Sequence, residues 1–209
     1  MQANFWHQMW ESKVLGFHQA EVNPFLTSHW PKLGLKNQQS VLVPLCGKSL
    51  DMLWLANQGC HVLGVELSQS AIEAFLSENH LSASTVKNES FFGYRLDGMA
   101  LLCGDFFKLS KKDCQGVKAV YDRAAIVALP PEMRQEYALH LQAILPKGTA
   151  YLMVVMEYDQ TLMSGPPFSV PESELRHLFA DFQSIEKVDE VVFERKGVQT
   201  KEMAFVMIA

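Results

Sequence analysis

A short loop with a single glycine and an acidic residue 19 positions later are the first groups in this sequence that suggest ligand chemistry. Both lie in "VLVPLCGKSLDMLWLANQGCHVLGVELS", which runs from Val41 to Ser68. The segment "CGKS" has the form of the end of a phosphate-binding loop, but the full pattern needs a second glycine where this chain has Leu42. A GxGxxG dinucleotide pattern is missing as well. We therefore expect neither a nucleoside triphosphate nor NAD at this loop.

The acidic residue is Glu66, which ends the second apolar run of the stretch. Its distance from Gly47 is close to the spacing at which a carboxylate binds ribose hydroxyls in nucleotide-binding folds. A ligand with a ribose and no phosphates fits this arrangement, and S-adenosylmethionine is such a ligand. Alternatively, Glu66 caps the helix that begins near "ELSQS". The residue types leave both interpretations open.

Two later strand ends carry polar groups of the same kind. The segment "LLCGDFF" ends with Gly104 and Asp105, where we expect a contact with the adenine edge of the ligand, or an Asp that only opens a turn. The segment "AVYDRAAIVALPP" places Arg123 directly after another strand. At the edge of a cleft, Arg123 would bind a carboxylate or an anionic substrate. The alternative for Arg123 is a solvated strand end.

The elements that must position these groups alternate between strands and helices. Apolar runs predict strands at 40–44, 61–66, 117–122 and 149–156, and helical patterns cover 50–58, 70–79 and 130–145. The turn signals "LDG" and "KG" predict hairpins at 90–103 and 188–208. This order predicts an α/β fold: a doubly wound, mostly parallel, Rossmann-like seven-stranded sheet with a C-terminal antiparallel hairpin. Ligands of such sheets bind outside the carboxyl ends of the strands.

Length, net charge and cysteine content limit the partners and the cellular setting that we expect for this protein. The 209 residues suit one domain, and the net charge of −5 disfavours a nucleic-acid partner. No apolar run is long enough to span a membrane, and the N-terminus lacks a signal-peptide core. The four cysteines form no CxxC pair, so we expect no metal site and a reducing, cytoplasmic setting. We also expect a monomer.

Four segments together resemble the thiopurine S-methyltransferase family over nearly the whole chain. They are "WHQMWESKVLGFHQAEVNPFL", the stretch 41–68 with its marker "PLCGKS", "VYDRAAIVALPPEMR" and "GPPFSVPESEL". The resemblance implies S-adenosylmethionine as cofactor and thiopurines or related aromatic or heterocyclic thiols as the small-molecule acceptors. It also implies the residues of the cofactor site, which are Trp10, Leu45, Glu66, Gly104, Asp105 and Arg123. On the acceptor side the resemblance implies Phe17 and Arg195, and the charge at the end of the strand 117–122 adds Arg123.

The N-terminal segment is the part of the chain expected to cover the cofactor. Residues 1–30 are predicted to form a helical lid, and the helix 4–15 carries Trp6 and Trp10. The face of an indole ring attracts a cation such as the sulfonium of the methyl donor. The alternative for Trp6, Trp10 and Phe17 is a place in the hydrophobic core.

The expected reaction is in-line transfer of the methyl group to an acceptor sulfur. Heteroaryl thiols are acidic, so the reaction depends on alignment, and no catalytic base is assigned from the sequence. Arg123 would orient the acceptor by pairing with its anionic form. His18 is a possible proton acceptor or a structural histidine. Two alternatives stay open: methylation of small thiols or of selenium or tellurium compounds, and a cofactor-binding sensor without turnover.

Overall fold

A computed structural model describes residues 6, 8–10, 19–36, 38–87 and 89–209. The chain falls into two compact units. The first contains the described residues of 1–23 and 35–118, and the second contains residues 24–34 and 119–209. The helices and strands, in chain order, are α1 (Pro24–His29), β1 (Ser40–Pro44), α2 (Asp51–Asn57), β2 (His61–Glu66), α3 (Gln69–Glu78), β3 (Ser84–Lys87), β4 (Phe92–Leu96), β5 (Met99–Cys103), β6 (Val117–Arg123), α4 (Pro131–Ile144), β7 (Ala150–Tyr158), α5 (Glu172–Leu178), β8 (Ser184–Arg195) and β9 (Val198–Ile208).

The first unit is built on five strands in the order β3-β4-β5-β2-β1. Strand β2 runs parallel to both β1 and β5, while β4 is antiparallel to β3 and β5. The central strands are buried on both faces, which explains why β1 and β2 read as continuous apolar runs. Their register brings Pro44 beside Val65 and Glu66 beside Cys103. The loops that follow these three strands therefore meet at one edge of the sheet.

The second unit has four strands in the order β6-β7-β9-β8. Strands β6 and β7 are parallel, and β9 is antiparallel to β7 and to β8, with which it forms the C-terminal hairpin. Trp30, in the 3-10 helix that follows α1, packs edge-on against Tyr121 at 6.4 Å between ring centroids. Between α4 and α5, the buried Arg134 donates from Nη1 to both carboxylate oxygens of Glu174. The unit thus has its own apolar core and a partly buried ion pair.

Most predicted elements are confirmed to within a few residues, and three features differ. The described residues form nine strands, against seven in the predicted fold class and eight in the predicted segments. The added strand is β3, which was not predicted because all four of its residues are exposed. Helix α1, six residues long, was not predicted as a separate helix, although it lies within the segment 1–30 that was predicted to be helical. The predicted helix 4–15 is helical at Trp6 and at residues 8–10, and its other positions lie outside the described residues. Within the described part, no helix has both the length and the apolar character needed to cross a bilayer.

Candidate functional site

The loop after β1 is held in an unusual backbone conformation. Leu45 has φ +48° and Gly47 has φ +53°, so both lie in the left-handed region, which a leucine rarely adopts. Two hydrogen bonds to β2 hold the loop: Cys46 N donates to Val65 O at 3.0 Å, and Gly47 N donates to Glu66 Oε2 at 2.9 Å. The predicted pair of Gly47 and Glu66 is therefore in direct contact.

Glu66 is a buried carboxylate that joins two loops. Besides Gly47 N, it accepts a hydrogen bond at Oε1 from Ser68 N, at 2.8 Å. Burial raises the pKa of Glu66 above its ordinary value, while the backbone N–H groups of Ser68, Gly47 and Leu67 oppose the shift. Ser68 precedes α3, so the carboxylate braces the entry to that helix without bonding a helical N–H. Each oxygen keeps acceptor capacity beyond these two bonds.

Trp10 lies against the same loop. It is buried, and its Cζ2 atom is 3.0 Å from the position that a Cβ at Gly47 would occupy. Gly47 therefore satisfies two requirements at once, a positive φ and close approach of an aromatic ring. The structure brings Trp10 and Glu66 to the loop that carries Leu45, and the family resemblance assigns all three residues to the cofactor.

Lys48 follows Gly47 and has a partner within the protein. Its Nζ atom donates to both carboxylate oxygens of Glu78 in α3, at 2.7 and 2.8 Å, and its side chain is largely buried. In a phosphate-binding loop this lysine would instead point its charge at the phosphates. The ion pair agrees with the expectation that "CGKS" does not bind a nucleoside triphosphate.

The loop after β5 is connected to Glu66 through a backbone hydrogen bond. Gly104 N donates to Glu66 O at 2.9 Å, and a Cβ at Gly104 would lie 2.7 Å from Phe91 Cδ1. Asp105 is exposed, and its Oδ1 accepts from Phe107 N at 3.0 Å at the start of a 3-10 turn. The turn-opening interpretation of Asp105 thus has direct geometric support, and its adenine role stays a prediction.

Arg123 belongs to the second unit, where it ends β6. Its backbone is fixed by the preceding Asp122, whose Oδ1 accepts from Ala125 N and Ile126 N and whose Oδ2 accepts from Tyr137 OH at 2.7 Å. Burial raises the pKa of Asp122 to about 6, against the effect of these donors. Ala124, the residue directly after Arg123, has φ +63°. The Arg123 side chain therefore leaves the strand at a strained, tightly held turn.

Two further charged groups accompany Arg123 in this unit. Arg195 donates from Nη1 to the sulfur of Met156 at 3.4 Å, and Glu202 is cross-strand partner to Met156. The charges of Arg123 and Arg195 both act on Glu202. Sequence reasoning missed Glu202, although an acidic residue entering the apolar run "MAFVMI" was a usable signal. Phe17 and His18, the other acceptor-side predictions, lie outside the described residues.

Solved structures with similar folds define the class. A Burkholderia thailandensis 1,6-didemethyltoxoflavin-N1-methyltransferase, solved with S-adenosylhomocysteine, gives a TM-score of 0.65 at 16% identity, covering 99% of this chain and 87% of that one. A SAM-dependent methyltransferase from Anabaena variabilis also gives 0.65, at 14% identity, with 99% and 95% coverage. At these identities the likeness establishes the fold, which is the predicted α/β fold of S-adenosylmethionine-dependent methyltransferases.

Comparison of the sequence identifies the family within that class. The thiopurine S-methyltransferase family model matches residues 1–208. The thiopurine S-methyltransferase of Pseudomonas fluorescens is 52% identical over 190 residues, or 91% of this chain and 87% of that protein. That of Pseudomonas entomophila is 51% identical over 191 residues, with the same coverage. The chain belongs to the thiopurine S-methyltransferase family. It is an S-adenosylmethionine-dependent methyltransferase, as the resemblance of its motifs indicated.

Proposed function

We propose that this chain transfers the methyl group of S-adenosylmethionine to the sulfur of thiopurines and related aromatic or heterocyclic thiols, releasing S-adenosylhomocysteine. The observation that carries the proposal is the contact of Gly47 with both Glu66 and Trp10. The loop at Gly47 lacks phosphate-binding features and instead has a carboxylate and an aromatic ring beside it. The relatives that are about half identical are named for the same reaction.

The first unit supplies the cofactor residues of this proposal. Glu66 accepts hydrogen bonds from the ribose hydroxyls with the capacity that Gly47 and Ser68 leave unused. Trp10 offers its ring to the sulfonium, and the strained turn at Leu45 presents backbone groups to the ligand. Gly104 and Asp105 line the adenine side. When bound, S-adenosylmethionine supplies a methyl group activated by attachment to a positively charged sulfur.

The second unit supplies the acceptor residues, Arg123 and Arg195, and Phe17 completes the set. The family resemblance counts Arg123 among the cofactor contacts, but its association with Arg195 and Glu202 supports the acceptor-side role. A guanidinium favours the anionic form of a thiol by charge pairing. Holding donor and acceptor in line contributes up to about 7–11 kcal/mol in favourable systems, which is why alignment is the main task of the chain.

The remaining expectations belong to the same proposal. The N-terminal segment closes over the cofactor as a lid, with Trp10 as the residue that reaches the loop. The enzyme acts as a monomer in the cytoplasm, on small molecules and not on nucleic acid or membranes. The net charge of −5 and the free thiols of Cys46, Cys103 and Cys114 support this setting. Sedimentation equilibrium tests the monomer, and a dimer at micromolar concentration contradicts it.

Two assays test the reaction itself. Calorimetry is expected to detect S-adenosylmethionine and S-adenosylhomocysteine but not ATP or NAD. The protein is then incubated with methyl-labelled S-adenosylmethionine and a panel of thiopurines, aryl thiols, small aliphatic thiols, selenite and tellurite. Transfer to the heterocyclic thiols supports the proposal, and transfer only to the aliphatic thiols or the selenium and tellurium species replaces it. Binding without transfer to any acceptor indicates a sensor.

Kinetics of Arg123→Ala and Arg123→Lys separate the two roles of Arg123. On the acceptor side, kcat/KM for a thiopurine falls, and the loss shrinks as pH rises and the thiol ionises without help. Lysine is a poor replacement if the contact is bidentate. A loss of cofactor affinity with an unchanged acceptor KM assigns Arg123 to the cofactor instead.

A further inference from the structure

Glu202 lies on the same face of the sheet as the two acceptor-side arginines. In the β6–β7 register Arg123 is the partner of Val154, and in the β7–β9 register Met156 is the partner of Glu202. Directly paired residues point to one face of a sheet, and Val154 and Met156 are two residues apart, so they share a face as well. The guanidinium of Arg195 reaches Met156 Sδ at 3.4 Å. Two positive charges and one negative charge therefore lie on this face around Met156.

These charges do not neutralise one another by direct contact. Among the residues that the structure describes, neither Glu202 nor Arg123 has a hydrogen bond or an ion pair within 4.0 Å, and the hydrogen bond of Arg195 goes to the sulfur of Met156. All three side chains are partly buried. Partly buried charges normally have a partner, because desolvation without one is costly. A ligand that supplies both a donor for the carboxylate and an anionic or acceptor atom for the guanidinium groups would satisfy all three.

Heterocyclic thiones have this combination of groups. In an N–C=S unit the acidic proton is on the ring nitrogen, and the sulfur gains negative charge when that proton leaves. We propose that Glu202 is a catalytic residue that accepts the ring N–H proton of such an acceptor while Arg123 and Arg195 stabilise the negative charge. This assignment rests on the proposed S-methylation, and it applies to acceptors that carry an N–H next to the C=S group.

The step balances without any further reactant. The N–H bond breaks and its proton passes to the Glu202 carboxylate, while its electron pair moves through carbon to sulfur. The sulfur forms the new bond to the methyl carbon as the bond from that carbon to the sulfonium breaks, and S-adenosylhomocysteine leaves. Glu202 then releases the proton to water. General bases of this kind contribute about 10²–10⁴-fold.

The surroundings of Glu202 suit a proton acceptor. Burial raises the pKa of Glu202 above its ordinary value, and the charges of Arg123 and Arg195 oppose that shift. The strand registers place two other charged groups on this face, Asp189 and Glu186 of β8: Asp189 Oδ2 is 2.8 Å from His29 Nε2, and Glu186 is exposed. The neighbouring Glu157 of β7 and Lys201 of β9 are cross-strand partners on the opposite face. Glu157 is therefore a matched carboxylate that cannot take part.

The decisive variant is Glu202→Gln, assayed with two acceptors. One is 6-mercaptopurine, a thione with a ring N–H, and the other is 4-nitrothiophenol, which is already a thiolate near neutral pH. For the thione we expect kcat to fall about 10²–10⁴-fold with little change in KM, since the amide oxygen still accepts a hydrogen bond. The loss should shrink as pH rises and the thione ionises without help. For 4-nitrothiophenol the rate should stay within about threefold, which also shows that the variant is folded.

Controls make the outcomes distinguishable. Glu157→Gln should leave both rates unchanged, and Glu202→Asp should recover part of the thione rate. S-adenosylhomocysteine affinity, measured by calorimetry, should be the same in all variants. An equal loss with both acceptors, or a full thione rate in Glu202→Gln, overturns the role of Glu202. Absence of transfer by the wild-type protein to either acceptor, with S-adenosylhomocysteine still bound, overturns the proposed function and this assignment with it.

Discussion

Replacing Gly47 by alanine tests the packing of Trp10 on the cofactor loop. At φ +53° a Cβ costs about 1–2 kcal/mol, and this Cβ would also lie 3.0 Å from Trp10 Cζ2, so the ring must move by a few tenths of an ångström. For a chain of 209 residues the strain alone should lower Tm by roughly 2–8 °C. Losing about 1 kcal/mol of cation–π attraction should weaken S-adenosylmethionine binding about fivefold. S-adenosylhomocysteine has no sulfonium, so its affinity should fall less.

Gly34→Ala is the matched control for this experiment. Gly34 has φ +62°, and nothing lies within 4 Å of its Cβ position, so this variant has the backbone strain without the contact. We expect both variants to lose stability in differential scanning calorimetry, but only Gly47→Ala to lose S-adenosylmethionine affinity in titration calorimetry. Tryptophan fluorescence of the free protein should also change in Gly47→Ala alone. Equal affinities in the two variants, or a larger loss for S-adenosylhomocysteine, would refute the placement of Trp10 beside the sulfonium.

Three further outcomes follow from the buried charges. Glu66→Ala should weaken S-adenosylhomocysteine binding about ten- to a hundredfold, from roughly 1.5–3 kcal/mol of charge-assisted hydrogen bonding, and unchanged affinity in calorimetry would leave Glu66 a loop brace only. The pKa of Asp122 is about 6 in the folded protein and 3.8 in the unfolded chain, so protonated Asp122 stabilises the fold. This contribution to the free energy of unfolding, up to about 3 kcal/mol, is fully present below pH 3.8 and is lost as pH rises through about 6. Denaturant unfolding across pH 4–8 should show this dependence in the wild type and not in Asp122→Asn; identical slopes would contradict it. Arg134→Ala should lower the free energy of unfolding by about 3 kcal/mol, because the Arg134 side chain in the pair with Glu174 is buried. Arg176→Ala should cost under about 1 kcal/mol, because the Arg176 side chain in the pair with Glu172 is exposed; similar losses would mean that burial of the arginine does not matter here.

The sequence predicts best where local pattern and burial agree. Strands β1 and β2 were predicted at the bounds that the structure gives, since both are short apolar runs buried on two faces. Strand β3 has no such pattern, because its four residues are exposed and it is fixed only by pairing with β4. Its existence is a property of the sheet and not of its own residues.

In the candidate site as well, local spacing was predicted from the sequence and long-range contacts were not. The spacing of Gly47 and Glu66 identified the loop, because a strand, a turn and a helix fix that spacing locally. The sequence did not indicate that Glu66 would bond Gly47 N directly, or that Trp10 would touch Gly47. Glu202 was missed because its relation to Arg123 depends on the register of three strands, β6, β7 and β9. Long-range register has no local signature.

The two strained strand ends have a consequence for engineering this enzyme. Leu45 and Ala124 keep side chains in a backbone region that glycine or asparagine enters more readily, and each turn is clamped by a buried carboxylate of its own unit. Glycine at either position would remove about 1 kcal/mol of strain from the native state but would also give the unfolded chain more freedom. Asparagine relieves part of the strain without that entropic loss. Screens for heat-resistant variants should therefore select asparagine at Leu45 and Ala124, and these same substitutions are where catalytic turnover should be checked first.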